Sequence, residues 1–150
     1  MEKIFENFTF TVLKLNKLIQ KIKHVEMCEF GLKTIHVMCL YRLYASSGGL
    51  TCGELVKLTL EDKSAISRAI KTLKQKGYAS YDSRSYNSLI TLTESGVKIA
   101  ETTLEKADRA VNAASCDFTE EQRVNFYKSL DVIAEKLQAY YEELTEVKND

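Results

Sequence analysis

The sequence predicts a mainly α-helical protein with a small β-hairpin near its middle. Apolar residues recur at helical spacing over most of the chain, and none of its 150 residues is proline, so long uninterrupted helices are possible. The stretch from Thr51 to Gly96 differs, because two short helical patterns there precede two strand-like runs around a polar loop. We therefore expect one mainly helical domain, organised around this stretch.

The two helices of this stretch carry their own start and stop signals. Thr51 and Glu54 stand at the spacing of a capping box, which predicts a helix from Thr51 to about Leu58. After a break, Asp62 can cap a second helix, and Gly77 suits the left-handed residue that ends one. The arrangement is helix, turn, helix.

Two short strands are predicted after Gly77, at Tyr78 to Tyr81 and at Leu89 to Leu92, with Leu50 as a minimal third strand. The residues between the two runs form a polar tip that contains Arg84. A hairpin that directly follows a helix-turn-helix is a wing, so the predicted fold is a winged helix-turn-helix.

The second helix combines one apolar face with a basic one. The chain has no net charge, yet between Lys63 and Arg84 only Asp82 is acidic. Such a face is often merely solvated, but a helix also fits the major groove, where hydroxyl groups and arginine can contact base edges. The candidate DNA-binding residues are Lys63, Ser64, Ser67, Arg68, Lys71, Lys74 and Arg84.

Two runs of this stretch, GLTCGELVKLTLEDKSAISRAIKTLKQKGYA and ITLTESGVKIA, resemble the MarR family of bacterial transcriptional regulators. The segment from Leu32 to Leu43 resembles that family's second helix. The resemblance implies a homodimer on an inverted-repeat operator, with the Lys63 to Lys76 helix in the major groove and the wing in the minor groove. The wing departs from the family pattern, because it is shorter and keeps only Asp82-Ser83-Arg84 of an Asp-x-Arg-Arg cluster.

The segments on either side of residues 34–96, the expected DNA-binding region, are predicted to dimerise. Residues 1–33 and 97–150 carry apolar seams with alternating spacings of three and four, and the last helix shows two seams. Packing against a second copy would bury them, although an intramolecular bundle is an alternative. The seams are Phe5, Phe8, Val12, Leu15, Ile19 and Ile22; then Val97, Ala100, Leu104, Ala107, Val111 and Ala114; then Tyr127, Leu130, Ala134, Leu137, Tyr141 and Leu144, with Phe126, Ile133, Tyr140 and Val147.

The composition excludes several classes of protein. A hydrophobic fraction of 45% and a charged fraction of 28% are those of an ordinary soluble protein, and no run approaches a membrane span. No catalytic motif or phosphate-binding glycine loop is present, so we expect no enzyme and no cofactor. We expect a cytoplasmic location.

Four residues have the spacing of a metal or redox site: His24, Cys28, His36 and Cys39. Histidine and cysteine at such spacing can bind zinc, and an exposed Cys28 or Cys39 could sense oxidants through its thiol. Free cysteine is more often a small buried hydrophobe, so we expect a structural role and no bound metal.

The resemblance also implies an effector pocket between the first two helices and the DNA-binding region. Its candidate residues are Met27, Phe30, His36, Val37, Met38 and Tyr41. The sequence thus favours a transcriptional regulator, more specifically a repressor, modulated by a small ligand. The alternatives are a thiol- or metal-responsive regulator of the same fold, and a winged-helix protein-interaction module that binds no DNA.

Overall fold

The computed structural model describes residues 2–85 and 87–146, which form six α-helices and one two-stranded sheet. The chain divides into two compact units, Met1–Asp108 and Arg109–Asp150. The elements in order are α1 (Glu2–Met27), a 3₁₀ turn (Cys28–Phe30), α2 (Thr34–Ala45), α3 (Cys52–Thr59), α4 (Lys63–Gln75), β1 (Ala79–Ser80), β2 (Thr91–Leu92), α5 (Glu94–Ala114) and α6 (Glu120–Glu146). The predicted mainly helical fold with a winged helix-turn-helix is confirmed.

Helices α2, α3 and α4 share one apolar core. The side chains of Leu40, Leu55, Ile66 and Leu73, which come from all three helices, are completely buried in it. Between α3 and α4 the chain turns at Leu60, whose φ is 58°. The predicted break between the two helices is therefore present.

The end of α4 follows the predicted glycine signal. Gly77 has a φ of 77°, and its N–H donates to the Lys74 carbonyl at 2.9 Å. The N–H of Tyr78 donates to the Leu73 carbonyl, also at 2.9 Å, which completes a Schellman motif. The chain thereby leaves α4 in the direction of the wing.

The wing is a shorter hairpin than the sequence indicated. Ala79 pairs with Leu92 and Ser80 with Thr91 in antiparallel register, and Leu50 forms the predicted third contact through a bridge to Ile90. The predicted ends at Tyr78 and Tyr81 are wrong: the Tyr78 N–H closes α4, and the Tyr81 carbonyl accepts from a lysine ammonium.

Helix α5 begins against the wing and the end of α4. The hydroxyl of Thr93 accepts from the Gly96 N–H at 3.0 Å and donates to the Gly77 carbonyl at 2.6 Å. Gly96 packs so closely on Tyr78 that a Cβ there would overlap the Tyr78 carbonyl oxygen. Ala100, from the predicted dimer seam, is completely buried in the core of the chain itself.

A charged cluster joins the end of α1 to α5. The ammonium of Lys106 donates to the carboxylates of Glu26 at 2.8 Å and Glu29 at 2.7 Å. Its side chain is only 15% exposed, and it lies 5.5 Å from the centre of the Phe30 ring. These hydrogen bonds raise the pKa of Lys106, with the bond to Glu26 the larger cause. The 3₁₀ turn is thus tied to α5.

The apolar seams of α1 and α6 lie on the surface of the chain. Phe8, Val12, Leu15, Ile19 and Ile22 are between 37% and 47% exposed. Within the described part of α6, no residue is buried, although the predicted capping box of Thr119 and Gln122 is present with bonds of 2.9 and 3.2 Å. The side chain of Phe5 and residue Val147 lie outside the described part of the chain.

Candidate nucleic-acid interface

Helix α4 is positioned by a capped start and a buried face. Asp62 accepts a hydrogen bond of 2.8 Å from the Ala65 N–H, which caps the first turn. Ile66, Ala69, Ile70 and Leu73 are buried in the core. The opposite face of the helix is consequently presented to solvent.

The exposed face of α4 carries five of the seven predicted DNA-binding residues. They are all exposed, and α4 itself contains no acidic residue. The five are Lys63, Ser64, Ser67, Arg68 and Lys71. This face offers three cations and two hydroxyl groups on one helix, a set that can contact phosphates and base edges.

A groove lined by both polar and apolar residues lies between α4 and the wing. Its volume is about 470 Å³, and Lys63 and Ser67 line it from the helix. Hydroxyl and amide groups line it from the wing side, at Ser83, Ser85, Asn87 and Ser88. The groove therefore adjoins the same exposed face of α4.

Lys74, the sixth predicted residue, is bound within the chain. Its ammonium donates to the Tyr81 carbonyl at 2.8 Å and to the Ser83 hydroxyl at 2.7 Å. The same nitrogen lies 4.1 Å from the centre of the Tyr81 ring. The structure thus places Lys74 between α4 and the wing, while Lys71 is exposed.

Arg84, the seventh, lies at the wing tip with a side chain that is 92% exposed. The Asp82 carboxylate accepts from its backbone N–H at 3.0 Å and from its Nε at 3.3 Å. Both bonds lower the pKa of Asp82, and the bond from the backbone N–H is the larger cause. Asp82 therefore orients the arginine while leaving its two terminal NH₂ groups open to other partners.

The candidate effector residues are divided between the core and a groove. Met27 and Val37 belong to the core, Phe30 and Tyr41 pack against it, and His36 is buried. Met38 instead lines a groove of about 650 Å³ between α1, α2 and the end of α3.

The 650 Å³ groove also contains a half-buried cation that the sequence pattern did not predict. Lys23 lines the groove and donates to the Met38 sulfur at 3.2 Å, and burial lowers its pKa. Lys23 occupies a polar position of α1, so the sequence did not indicate that its side chain is partly buried. That burial depends on the packing of α2.

The histidines and cysteines are placed in different environments. His24 and Cys28 are exposed, whereas Cys39 is completely buried and burial raises the pKa of its thiol to about 12. The Nδ1 of His36 accepts from the Lys33 N–H at 2.9 Å. Among residues 2–85 and 87–146, no group of three or more His, Cys, Asp or Glu side chains is arranged to hold a metal.

Solved structures share this fold over nearly the whole chain. A MarR transcriptional regulator from Methanosarcina mazei Go1 aligns with a TM-score of 0.82 at 22% identity, over 90% of this chain and 92% of that one. A MarR protein from Peptoclostridium difficile DA00132 aligns with a TM-score of 0.81 at 20% identity, over 92% of each chain. The transcriptional regulator SlyA aligns with a TM-score of 0.79 at 17% identity, over 91% of this chain and 98% of that one.

The sequence model of the MarR family matches residues 30–84. This segment of the chain is therefore similar to the MarR family, and the solved structures show that the fold is shared. The matched MarR segment begins at Phe30 and ends at Arg84, so it contains all seven predicted DNA-binding residues. No curated protein sequence matches the chain. In the part of the chain that the structure describes, no helix is long and apolar enough to cross a membrane.

Proposed function

We propose that this protein is a DNA-binding transcriptional regulator that acts as a repressor. The observation that carries the proposal is the exposed, acid-free face of α4, with three cations and two serines beside a wing that ends in an oriented arginine. In this proposal α4 enters the major groove and Arg84 reaches the adjacent minor groove. A regulator works where the DNA is, so we also propose a cytoplasmic location.

We propose further that the protein binds an inverted-repeat operator as a homodimer. The support is the exposed apolar seam of α1, together with exposed aromatic residues on α6. Among these, Tyr140 is 58% exposed and Tyr141 is 61% exposed. Large contiguous apolar surfaces on a soluble chain are typical of interfaces, and a two-fold dimer presents one α4 to each half-site.

Binding of a small molecule would modulate the affinity for DNA. The groove of about 650 Å³ is large enough for a small ligand, and it is lined by α1, α2 and the end of α3. A ligand that binds better to one spacing of the two α4 helices shifts the population toward that spacing. The buried thiol of Cys39 makes oxidant sensing at that residue the weaker alternative.

A salt titration tests the proposed DNA binding. The affinity for a random-sequence duplex is measured by fluorescence anisotropy at several salt concentrations, and we expect a steep linear fall in log affinity against log salt. The matched comparison is a double variant, Lys63→Ala with Lys71→Ala, for which the slope should flatten by about two units. A flat slope for the unaltered protein would refute DNA binding and favour a protein-interaction module.

A further inference from the structure

Lys74 differs from the other cations of α4 in what its ammonium contacts. Two of its three N–H groups are directed at Tyr81 and Ser83, seven and nine residues later in the chain. Its position over the Tyr81 ring adds a cation–π contact. Most of its binding capacity is therefore satisfied inside the protein.

The position of Lys74 on α4 explains this contact. Lys63, Ser67, Ile70 and Lys74 are spaced by four, three and four residues, so they form one row along the helix. The first three line the groove toward the wing. Lys74 continues this row at the C-terminal end of α4. Its side chain therefore reaches the residues that follow β1 in the wing.

The base of the wing is anchored at Ile90, which is buried and exchanges backbone hydrogen bonds of 3.0 and 2.9 Å with Leu50. The two strands of the wing contain two residues each, and a hairpin of this size is marginal in isolation.

Lys74 instead contacts the segment that follows β1. This segment carries Asp82, whose carboxylate in turn orients Arg84. A contact that fixes Tyr81 and Ser83 therefore also fixes the origin of the Arg84 side chain.

We propose that Lys74 is a positioning residue that holds the wing against α4 and thereby presents Arg84 to DNA, rather than a direct phosphate contact. The part that concerns DNA rests on the proposed function. The part that concerns the wing is a property of the free protein.

The first experiment measures the wing without DNA. Backbone amide exchange of the full-length protein is followed by mass spectrometry for Lys74→Met, which keeps a long helix-compatible side chain, and for the control Lys71→Met. The readout is the segment from residue 79 to residue 92, where the N–H groups of Arg84, Ser85 and Ile90 are hydrogen-bonded. We expect exchange there to be at least several-fold faster in Lys74→Met and unchanged in Lys71→Met. Ser83→Ala, which removes one acceptor and leaves α4 unaltered, should show a smaller acceleration in the same segment. Unchanged wing exchange in Lys74→Met would overturn the proposal, whatever the protein binds.

The second experiment separates positioning from phosphate contact. The probe is a duplex selected from a random pool by the unaltered protein, titrated with salt in an Arg84→Ala background. There Lys74→Met should cause less than a twofold further loss of affinity and no further change in the salt slope, because the arginine that it positions is absent. In the same background, Lys71→Met should lose as much affinity for the duplex as it does in the unaltered protein. It should also flatten the salt slope by about one unit. A slope change of one unit on Lys74→Met in this background would make Lys74 a phosphate contact. A flat slope for the unaltered protein would refute the proposed function alone, since amide exchange still decides whether Lys74 holds the wing.

Discussion

The Nδ1 atom of His36 accepts a hydrogen bond of 2.9 Å from the backbone N–H of Lys33, at the start of α2. Only an unprotonated ring nitrogen can accept, so this bond requires the neutral imidazole. Burial, and then the charges of Lys33 and Lys76, lower the pKa of His36. The fold therefore favours the neutral histidine over the charged one.

This relationship predicts a loss of stability in mild acid. Because the pKa of His36 is lower in the folded state, the unfolded state binds more protons as the pH falls below the ordinary value of about 6.5. The contribution is thus fully present above that pH and is lost as the pH falls toward the folded-state pKa. The free energy of unfolding, measured in urea between pH 7.5 and pH 5, should fall less steeply in His36→Gln, because glutamine does not titrate in this range. Its side-chain oxygen can still accept from the Lys33 N–H, so the start of α2 is preserved. His24→Gln, at an exposed histidine of α1, serves as the control and should keep the original slope. Equal slopes for the two variants would contradict the assignment.

The close packing of Gly96 on Tyr78 predicts a second effect on stability. A methyl group at Gly96 would overlap the Tyr78 carbonyl, so Gly96→Ala forces the start of α5 away from the wing and should cost about 1 to 3 kcal/mol. Gly53→Ala is the matched control, because its added Cβ meets no atom within 4 Å. That change should stabilise α3 by up to about 1 kcal/mol through helix propensity. Thermal and urea unfolding of the two variants measure both effects, and a Gly96→Ala protein as stable as the unaltered one would disprove the close contact.

The sequence predicted the elements that depend on local signals. The box of Thr51 and Glu54, the Asp62 cap and Gly77 each act within a few residues, so the bounds of α3 and α4 were predicted closely. The exposed face of α4 followed from the helical period alone. These features need no knowledge of the rest of the fold.

The features that the sequence did not predict depend on residues far apart in the chain. Lys74 was predicted to contact DNA, and Lys106 had no predicted role. The ammonium of Lys74 instead binds the Tyr81 carbonyl, seven residues away, and that of Lys106 binds the Glu26 carboxylate, 80 residues away. Ala100 fitted a dimer seam by spacing, but the chain folds α5 back so that this residue enters the core. Spacing along one helix identifies an apolar face, but not the surface that covers it.

The exposed seam of α1 leads to a prediction about assembly. Leu15 lies in the seam and is 46% exposed, whereas Leu13, at 59%, lies on another side of the helix. If a second copy covers the seam, Leu15→Asp should give monomers or insoluble chain, since a carboxylate would be buried in an apolar interface. Leu13→Asp should leave the dimer intact. Sedimentation velocity at micromolar concentration distinguishes these results, and a folded monomer of the unaltered protein would refute the homodimer.

The last prediction concerns which cation of the interface recognises sequence. Arg68 is exposed on α4, where its planar guanidinium can make a bidentate contact with a guanine edge in the major groove. Arg84 lies on the wing, where the minor groove offers a poorer pattern of donors and acceptors. Hence Arg68→Ala should cost about 1 to 3 kcal/mol on the selected duplex and much less on a scrambled one. Arg84→Ala should weaken both duplexes more evenly and flatten the salt slope by about one unit. Arg42→Ala removes the same charge from the exposed surface of α2 and controls for net charge. If Arg68→Ala bound both duplexes as tightly as the Arg42→Ala control, α4 would have to be abandoned as the recognition helix, because its only arginine would then contribute nothing to discrimination.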